Sequence, residues 1–291
     1  MSSLYHKDIY KFEKAINSYW ESTVKTKDKF KTLDTDMSTN IVVIGGGYTG
    51  LSCALSLVEK HNEDVVLLEA GHIGWGSSGR NAGFCCIPPA KMSVKKMFKK
   101  YGRKETQSFF QNTIEGSYFT KNIIKEYNID CDLTGDSNFE VAPHPSYFES
   151  IKEEAETYKT AFGIETEVFT KEEFNEIGHG GNEQFGAMSY KPGFAINPLK
   201  FLIGLANAAN QVGVKIFQKS KVTKIEKING KYKIISNNHI INANKIVMAT
   251  NGFYKDDIFP KLNNLILPVI SNIIITRPLT DEEINSHNFI T

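Results

Sequence analysis

Gly45, Gly47 and Gly50 occupy the first, third and sixth positions of the run Gly45-Gly46-Gly47-Tyr48-Thr49-Gly50. In a G-x-G-x-x-G turn the first glycine permits a tight bend after a strand. The second lets the backbone approach a pyrophosphate, and the third lets helix and strand pack closely. Tyr48 and Thr49 would open the helix, whose first N–H groups and positive dipole end attract phosphate. Glu69 follows about 20 residues later, where a carboxylate accepts hydrogen bonds from ribose hydroxyls. An acid at that point disfavours a 2′-phosphate. The chemistry these residues suit is the binding of a dinucleotide, FAD or NAD. Directly beyond the acid, Ala70 to Gly83 combines small residues with Ser77, Ser78, Arg80, Asn81 and Ala82. A loop of this kind wraps a bulky ligand and donates backbone N–H groups to it. An NAD-binding domain ordinarily passes from the acid into a plain turn and helix.

The elements that must position these residues are legible nearby. Ile41 to Ile44 and Val65 to Leu68 are continuous apolar runs, as in parallel strands buried on both faces. Leu51, Ala54, Leu55 and Val58 fall on one face of a helix, closing a right-handed βαβ unit. Asn197-Pro198 is a helix start, with the helix running to Gln211. Strands are expected at Val214–Phe217, Val222–Ile225, Tyr232–Ile235, Ile240–Ile241 and Ile246–Ala249, with Asn229-Gly230 as a hairpin turn. Residues 91 to 190 are richer in helical patterns (Glu105–Tyr127, Ser146–Phe162), with a strand near Phe139–Ala142 and a capping box at Thr170–Glu173. Residues 1 to 38 form a leader. A short helix is expected around Tyr10–Tyr19, and Tyr5, Tyr10, Phe12, Tyr19 and Trp20 are too many aromatics for a free tail.

Composition narrows the function classes. The chain has 291 residues, 41% hydrophobic and 23% charged, with a net charge of +1. That is a globular composition, and the charge balance gives no reason to expect nucleic acid as a partner. No apolar run approaches the ~20 residues of a membrane span. The seven histidines lack ligand spacing and the four cysteines form no CxxC pair, so neither a metal site nor a disulfide framework is expected. A reducing, cytoplasmic setting follows as the expectation. The basic stretch from Lys91 to Lys104 carries Val94, Met97, Phe98 and Tyr101 at helical spacing, which reads as a solvated helix packed by its apolar face.

The two blocks VVIGGGYTGLSCALSL and VVLLEAGHIGWGSSGRNAG resemble the start of the FAD-dependent amine and amino-acid oxidases, the family of D-amino-acid, glycine and sarcosine oxidases. Further segments resemble that family in order: Ser18–Trp20 in the leader, Gly193–Phe201 opening a later helix, Lys221–Lys227, and Val247–Phe253. The resemblance implies FAD as cofactor, with Val222 touching the adenine and Thr250, Asn251 and Gly252 passing the pyrophosphate. It implies hydride transfer from the carbon beside an amine nitrogen to the flavin, hydrolysis of the imine, and oxygen or another electron acceptor. The partner implied is a small-molecule amine, and no side-chain base can be named.

The fold expected is two-domain α/β. A Rossmann-like FAD domain is assembled from residues 39–90 and 191–255, and an α+β substrate domain from 91–190 and 256–291. Ile273–Thr276 reads as a strand of the second domain's sheet. Family members run well past this length, so the substrate domain is expected to be truncated at its C-terminus. The alternative is a non-catalytic remnant that folds and at most binds nucleotide weakly. An NAD-dependent dehydrogenase leaves the Ser77–Gly83 loop without a use.

Overall fold

A computed structural model of the protein describes residues 7–14, 16–25, 29–87, 92–178, 180–253, 258, 260–262, 265–266, 269 and 271–287. In chain order the helices are α1 (Tyr19–Ser22), α2 (Tyr48–His61), α3 (Val94–Glu126), α4 (Pro145–Phe162), α5 (Lys171–Ile177), α6 (Pro198–Gln211) and α7 (Asp281–His287). The strands are β1 (Met37–Ile44), β2 (Val65–Leu68), β3 (Phe84–Cys86), β4 (Asn138–Val141), β5 (Glu165–Phe169), β6 (Ala187–Lys191), β7 (Gly193–Ala195), β8 (Lys215–Phe217), β9 (Val222–Ile228), β10 (Lys231–Ser236) and β11 (His239–Met248). They divide into two units, residues 1–82, 124–131 and 197–273, and residues 83–123, 132–196 and 274–291. Positions 90, 91, 255 and 256, where domain boundaries are expected from sequence, lie outside the described residues. The second unit starts at Gly83 because Phe84–Cys86 pairs antiparallel with Gly193–Ala195.

The first unit is built on a six-stranded sheet in the order β8-β2-β1-β11-β10-β9. β8, β2, β1 and β11 are parallel, and β10 and β9 are added antiparallel. The apolar runs 41–44 and 65–68 are its central strands, buried because both faces are covered. Val42, Ile44, Val66 and Leu68 point into one core layer with Leu33, Phe217, Val222, Ile234 and Ile241. On α2, Leu51, Ala54 and Leu55 are buried. Asn229 and Gly230 both take positive φ, as a two-residue turn between β9 and β10 requires. Asn197 caps α6, its side chain accepting from Lys200 N–H at 3.2 Å, with Pro198 in the first turn.

Three expectations are corrected here. Ile240–Ile241 and Ile246–Met248 are parts of one ten-residue strand, β11, and Ala249 lies just past its end. Asn242, Asn244 and Lys245 interrupt the apolar run, but Ile241 and Ala243 are buried while Asn242 and Asn244 face out, the alternation of a strand with one wet face. Among the described residues, no helix runs through Tyr10–Tyr19. The leader's helical pieces are a 3₁₀ turn at Lys7–Tyr10 and α1, and individual side chains, not an amphipathic face, hold it. Ile273–Thr276 is in no strand, and Ile274 is 92% exposed. Its β-branched residues have strand propensity, but propensity without a pairing partner makes no ladder.

The second unit carries the antiparallel sheet β4-β6-β5. Its core joins Ile87, Val94, Met97, Phe110, Ile151, Ala155, Tyr158, Met188 and Tyr190. Val94 and Met97 of the basic stretch are packed in this core and Phe98 lies partly against it, while Tyr101 is 50% exposed; Lys91 lies outside the described residues. α3 breaks at Gly102, where φ is 82°. Thr170 and Glu173 form the expected capping box. Tyr158 and Tyr190 are buried, which pushes both phenols far up. Burial also raises the carboxyls of Glu140 and Glu154 nearby.

Near the end of this unit Arg277 grips Glu283 with two parallel bonds, Nη1–Oε2 at 2.8 Å and Nη2–Oε1 at 2.7 Å. Thr280 and Glu283 cap α7 reciprocally. The guanidinium and the Thr280 N–H hold the Glu283 carboxyl down at about 2. A depressed carboxyl pKa contributes stability above the unfolded value, and that contribution is lost as pH falls through the folded value. Helicity at 281–287 is therefore expected to decline progressively from the range where free carboxylates protonate down to about pH 2. In Arg277→Ala the Glu283 titration, followed by NMR, is expected to move up towards the ordinary carboxylate range.

Candidate functional site

β1 ends at Ile44, and the chain turns through Gly45–Gly47 into α2. A Cβ on Gly45 would land on the carbonyl oxygen of Ala249, and Gly45 has φ +113°. A Cβ on Gly50 would land on the carbonyl oxygen of Gly45. These two positions exclude any side chain because backbone meets backbone there. Gly47 differs: its φ is −83°, and an added Cβ would meet only Ser78, at 2.9 Å from Oγ.

The start of α2 has no cap from its own N-cap side chain. The Ser78 hydroxyl accepts from Tyr48 N–H at 3.2 Å. One hydroxyl satisfies one of the several N–H groups that a helix start leaves without an intrahelical partner. The donor set suits a larger anion with several oxygens.

Glu69 stands at the end of β2, half-buried. Its Oε2 accepts from Gly46 N–H at 2.7 Å and its Oε1 from Gly71 N–H at 2.8 Å. Desolvation pushes its pKa up, against the opposing pull of the Gly71 and Gly46 N–H groups and of His72. Held this way, the carboxylate is fixed in orientation beside the glycine turn.

Both features open onto one cleft within the first unit. Gly45, Gly47, Tyr48, Thr49, Glu69, Ala70, Ser77, Ser78, Val222, Thr250 and Asn251 line it. Gly50 packs behind the turn. Arg80, Asn81, Ala82, Gly83 and Gly252 are not on its wall. Arg80 lies over the Trp75 ring at 5.2 Å and donates from Nε to Gly76 O at 3.3 Å. Asn81 Nδ2 donates to Ser78 O at 2.9 Å and Ser77 O at 3.3 Å. These two side chains brace the loop from within. His72 is also a brace, its Nε2 lying 3.5 Å from Glu21 Oε1 of the leader.

The sequence reading did not find the aromatic part of the wall: Tyr10, Phe12, Trp75 and Phe253 also line the cleft, with Lys221. The density of aromatics in the leader was the available signal. Nothing local tied them to residues sixty and more positions away. Among the described residues, no group of three His, Cys, Asp or Glu is placed to hold a metal ion. None of the described helices is long and apolar enough to cross a membrane.

The chain is 28% identical to gamma-glutamylputrescine oxidoreductase of Escherichia coli over 267 residues, 91% of this chain and 61% of that protein. It is 27% identical to the probable oxidoreductase OrdL of Haemophilus influenzae, over 92% of this chain and 62% of that one. The chain thus spans about three-fifths of the length of these relatives. Among solved structures, glycine oxidase from Geobacillus kaustophilus superposes with a TM-score of 0.58 at 17% identity, covering 73% of this chain and 55% of that one. L-amino acid deaminase from Proteus vulgaris superposes with a TM-score of 0.62 at 18% identity, covering 77% and 49%. At those identities the superpositions show the shared fold. The DAO model, described as FAD dependent oxidoreductase, matches residues 40–290. With the glycine turn, the oriented acid and the two-unit α/β fold all inside that span, the chain belongs to the DAO family of FAD-dependent oxidoreductases.

Proposed function

We propose that this chain holds FAD in the first-unit cleft as part of an enzyme that oxidises a small amine, with gamma-glutamylputrescine as the leading candidate. The observation that carries the reading is the Glu69 carboxylate, fixed by two backbone N–H groups beside the start of α2, where Ser78 takes up one N–H. Ribose hydroxyls would donate to Glu69. The first N–H groups of α2, with Ser77, Ser78, Thr250 and Asn251, would hold the pyrophosphate. Val222 would meet the base, while Arg80, Asn81, Ala82 and Gly83 keep the loop in shape. The chemistry the flavin supplies when bound is acceptance of a hydride from the carbon beside the amine nitrogen. The protein's share is orientation of the ligand and exclusion of water. Oxygen, or another acceptor, would then take up the electrons.

The test is FAD titration followed by anaerobic mixing with gamma-glutamylputrescine, other amines and a hydroxy acid. Bleaching by amines alone is the expected result. Glu69→Ala is expected to weaken FAD binding by about 1–3 kcal/mol, the worth of hydrogen bonds to a charged acceptor. Bleaching by the hydroxy acid and not by amines would overturn the reaction class. Binding without bleaching by any of them would favour a nucleotide-binding protein without turnover.

A further inference from the structure

We infer that the leader is part of the nucleotide site: Phe12 and Tyr10 form the wall against which the base rests, and two tryptophans clasp the leader to the loop that follows Glu69. This rests on the proposed FAD site and adds to it a segment that precedes the whole βαβ unit.

Trp20 and Trp75 are the chain's only tryptophans, and they act in opposite directions. Trp20, in the leader, donates from Nε1 to Asn81 O of the loop at 2.9 Å. Trp75, in the loop, donates from Nε1 to Lys14 O of the leader at 2.9 Å. Between these bonds Phe12 is only 8% exposed. Its ring meets Trp75 edge-on at 4.8 Å and Phe253 at 6.4 Å, and the Lys221 ammonium lies 5.2 Å from its centroid. Ordering a segment costs conformational entropy. A leader pinned by two indole bonds and an aromatic trio has that cost met before any ligand arrives.

The chemistry of the wall divides the ligand. Glu69 and the glycine turn suit ribose and phosphate. The remaining apolar surface, with Phe12, Trp75 and Phe253, suits the flat, weakly hydrated part of a nucleotide, its base. Aromatic side chains hold bases by stacking, with little dependence on which base it is. A wall built by the leader should therefore act on the base and leave phosphate recognition alone.

The experiment measures AMP, FAD and inorganic pyrophosphate affinity by calorimetry in the full chain and in two variants. Phe12→Ala removes the wall. Trp75→Phe keeps an apolar ring against Phe12, removes the bond to Lys14 and shortens the ring under Arg80, so it serves if Phe12→Ala fails to fold. In each, AMP and FAD affinity is expected to fall by about tenfold, with pyrophosphate affinity unchanged. Phe12→Leu is expected to recover part of the loss. If the parent binds FAD and AMP and both variants match it, the inference is wrong and the FAD site stands. If pyrophosphate binding falls equally, the leader is a general support and not a base wall, which also overturns the inference. A parent that binds neither AMP nor FAD overturns both the inference and the FAD site.

Discussion

Gly47→Val is expected to leave the first unit folded while strongly weakening nucleotide binding. Gly50→Ala and Gly45→Ala are expected to cost the fold itself. The three glycines share one motif, but the structure separates their reasons. At Gly45 and Gly50 the added carbon meets a backbone carbonyl oxygen, which cannot rotate away. Overpacking against backbone of this kind costs about 3 kcal/mol or more. At Gly47 the neighbour is the Ser78 side chain, which can change rotamer, and the backbone is ordinary extended chain. Only a ligand passing over that backbone needs Gly47 to be bare. A loss on the order of 100-fold in FAD affinity, about 3 kcal/mol, is expected with a melting curve close to the parent's. Flavin fluorescence titration and thermal melts followed by circular dichroism separate the cases. If Gly47→Val melts as early as Gly50→Ala, Gly47 is structural and the pyrophosphate path loses its main support.

The same division between local and long-range causes explains what the sequence made legible. Ile41–Ile44 and Val65–Leu68 announce buried strands because four consecutive apolar residues have no wet face. Thr170–Glu173 and Asn197-Pro198 announce helix starts because capping is settled within four residues. Asn229-Gly230 announces its turn because few other residues accept two positive φ values. The failures lie where a distant partner decides. Ile273–Thr276 has the residues of a strand and no strand beside it. Phe84–Cys86 carries no strand signal of its own and is a strand through pairing with Gly193–Ala195, over a hundred residues away. Phe12 is held at the cleft by Trp75 and Phe253, far from it in sequence.

Phe110→Ala is expected to be among the most damaging single truncations in the second unit. Phe110 is 1% exposed and stacks on Phe162 with centroids 3.9 Å apart and planes 11° from parallel. Tyr158 also packs against it, with centroids 5.5 Å apart and planes tilted by 59°. Removing a buried phenyl ring loses its transfer free energy and leaves a cavity, together about 3–5 kcal/mol. Phe109 is next to it on α3, touches it edge-on at 5.6 Å, and is 36% exposed. Phe109→Ala is therefore expected to cost about 1 kcal/mol, since solvent can fill the space left behind. Phe110→Leu should recover part of the loss by refilling some of the volume. Urea unfolding monitored by far-ultraviolet circular dichroism gives all three values on one scale, with m unchanged if the native state keeps its compactness. A whole-domain stability is only about 5–15 kcal/mol, so the Phe110→Ala loss should be visible as a melting shift of several degrees. Equal costs for Phe109→Ala and Phe110→Ala would mean that the part of α3 beyond Gly102 presents a different face to the core.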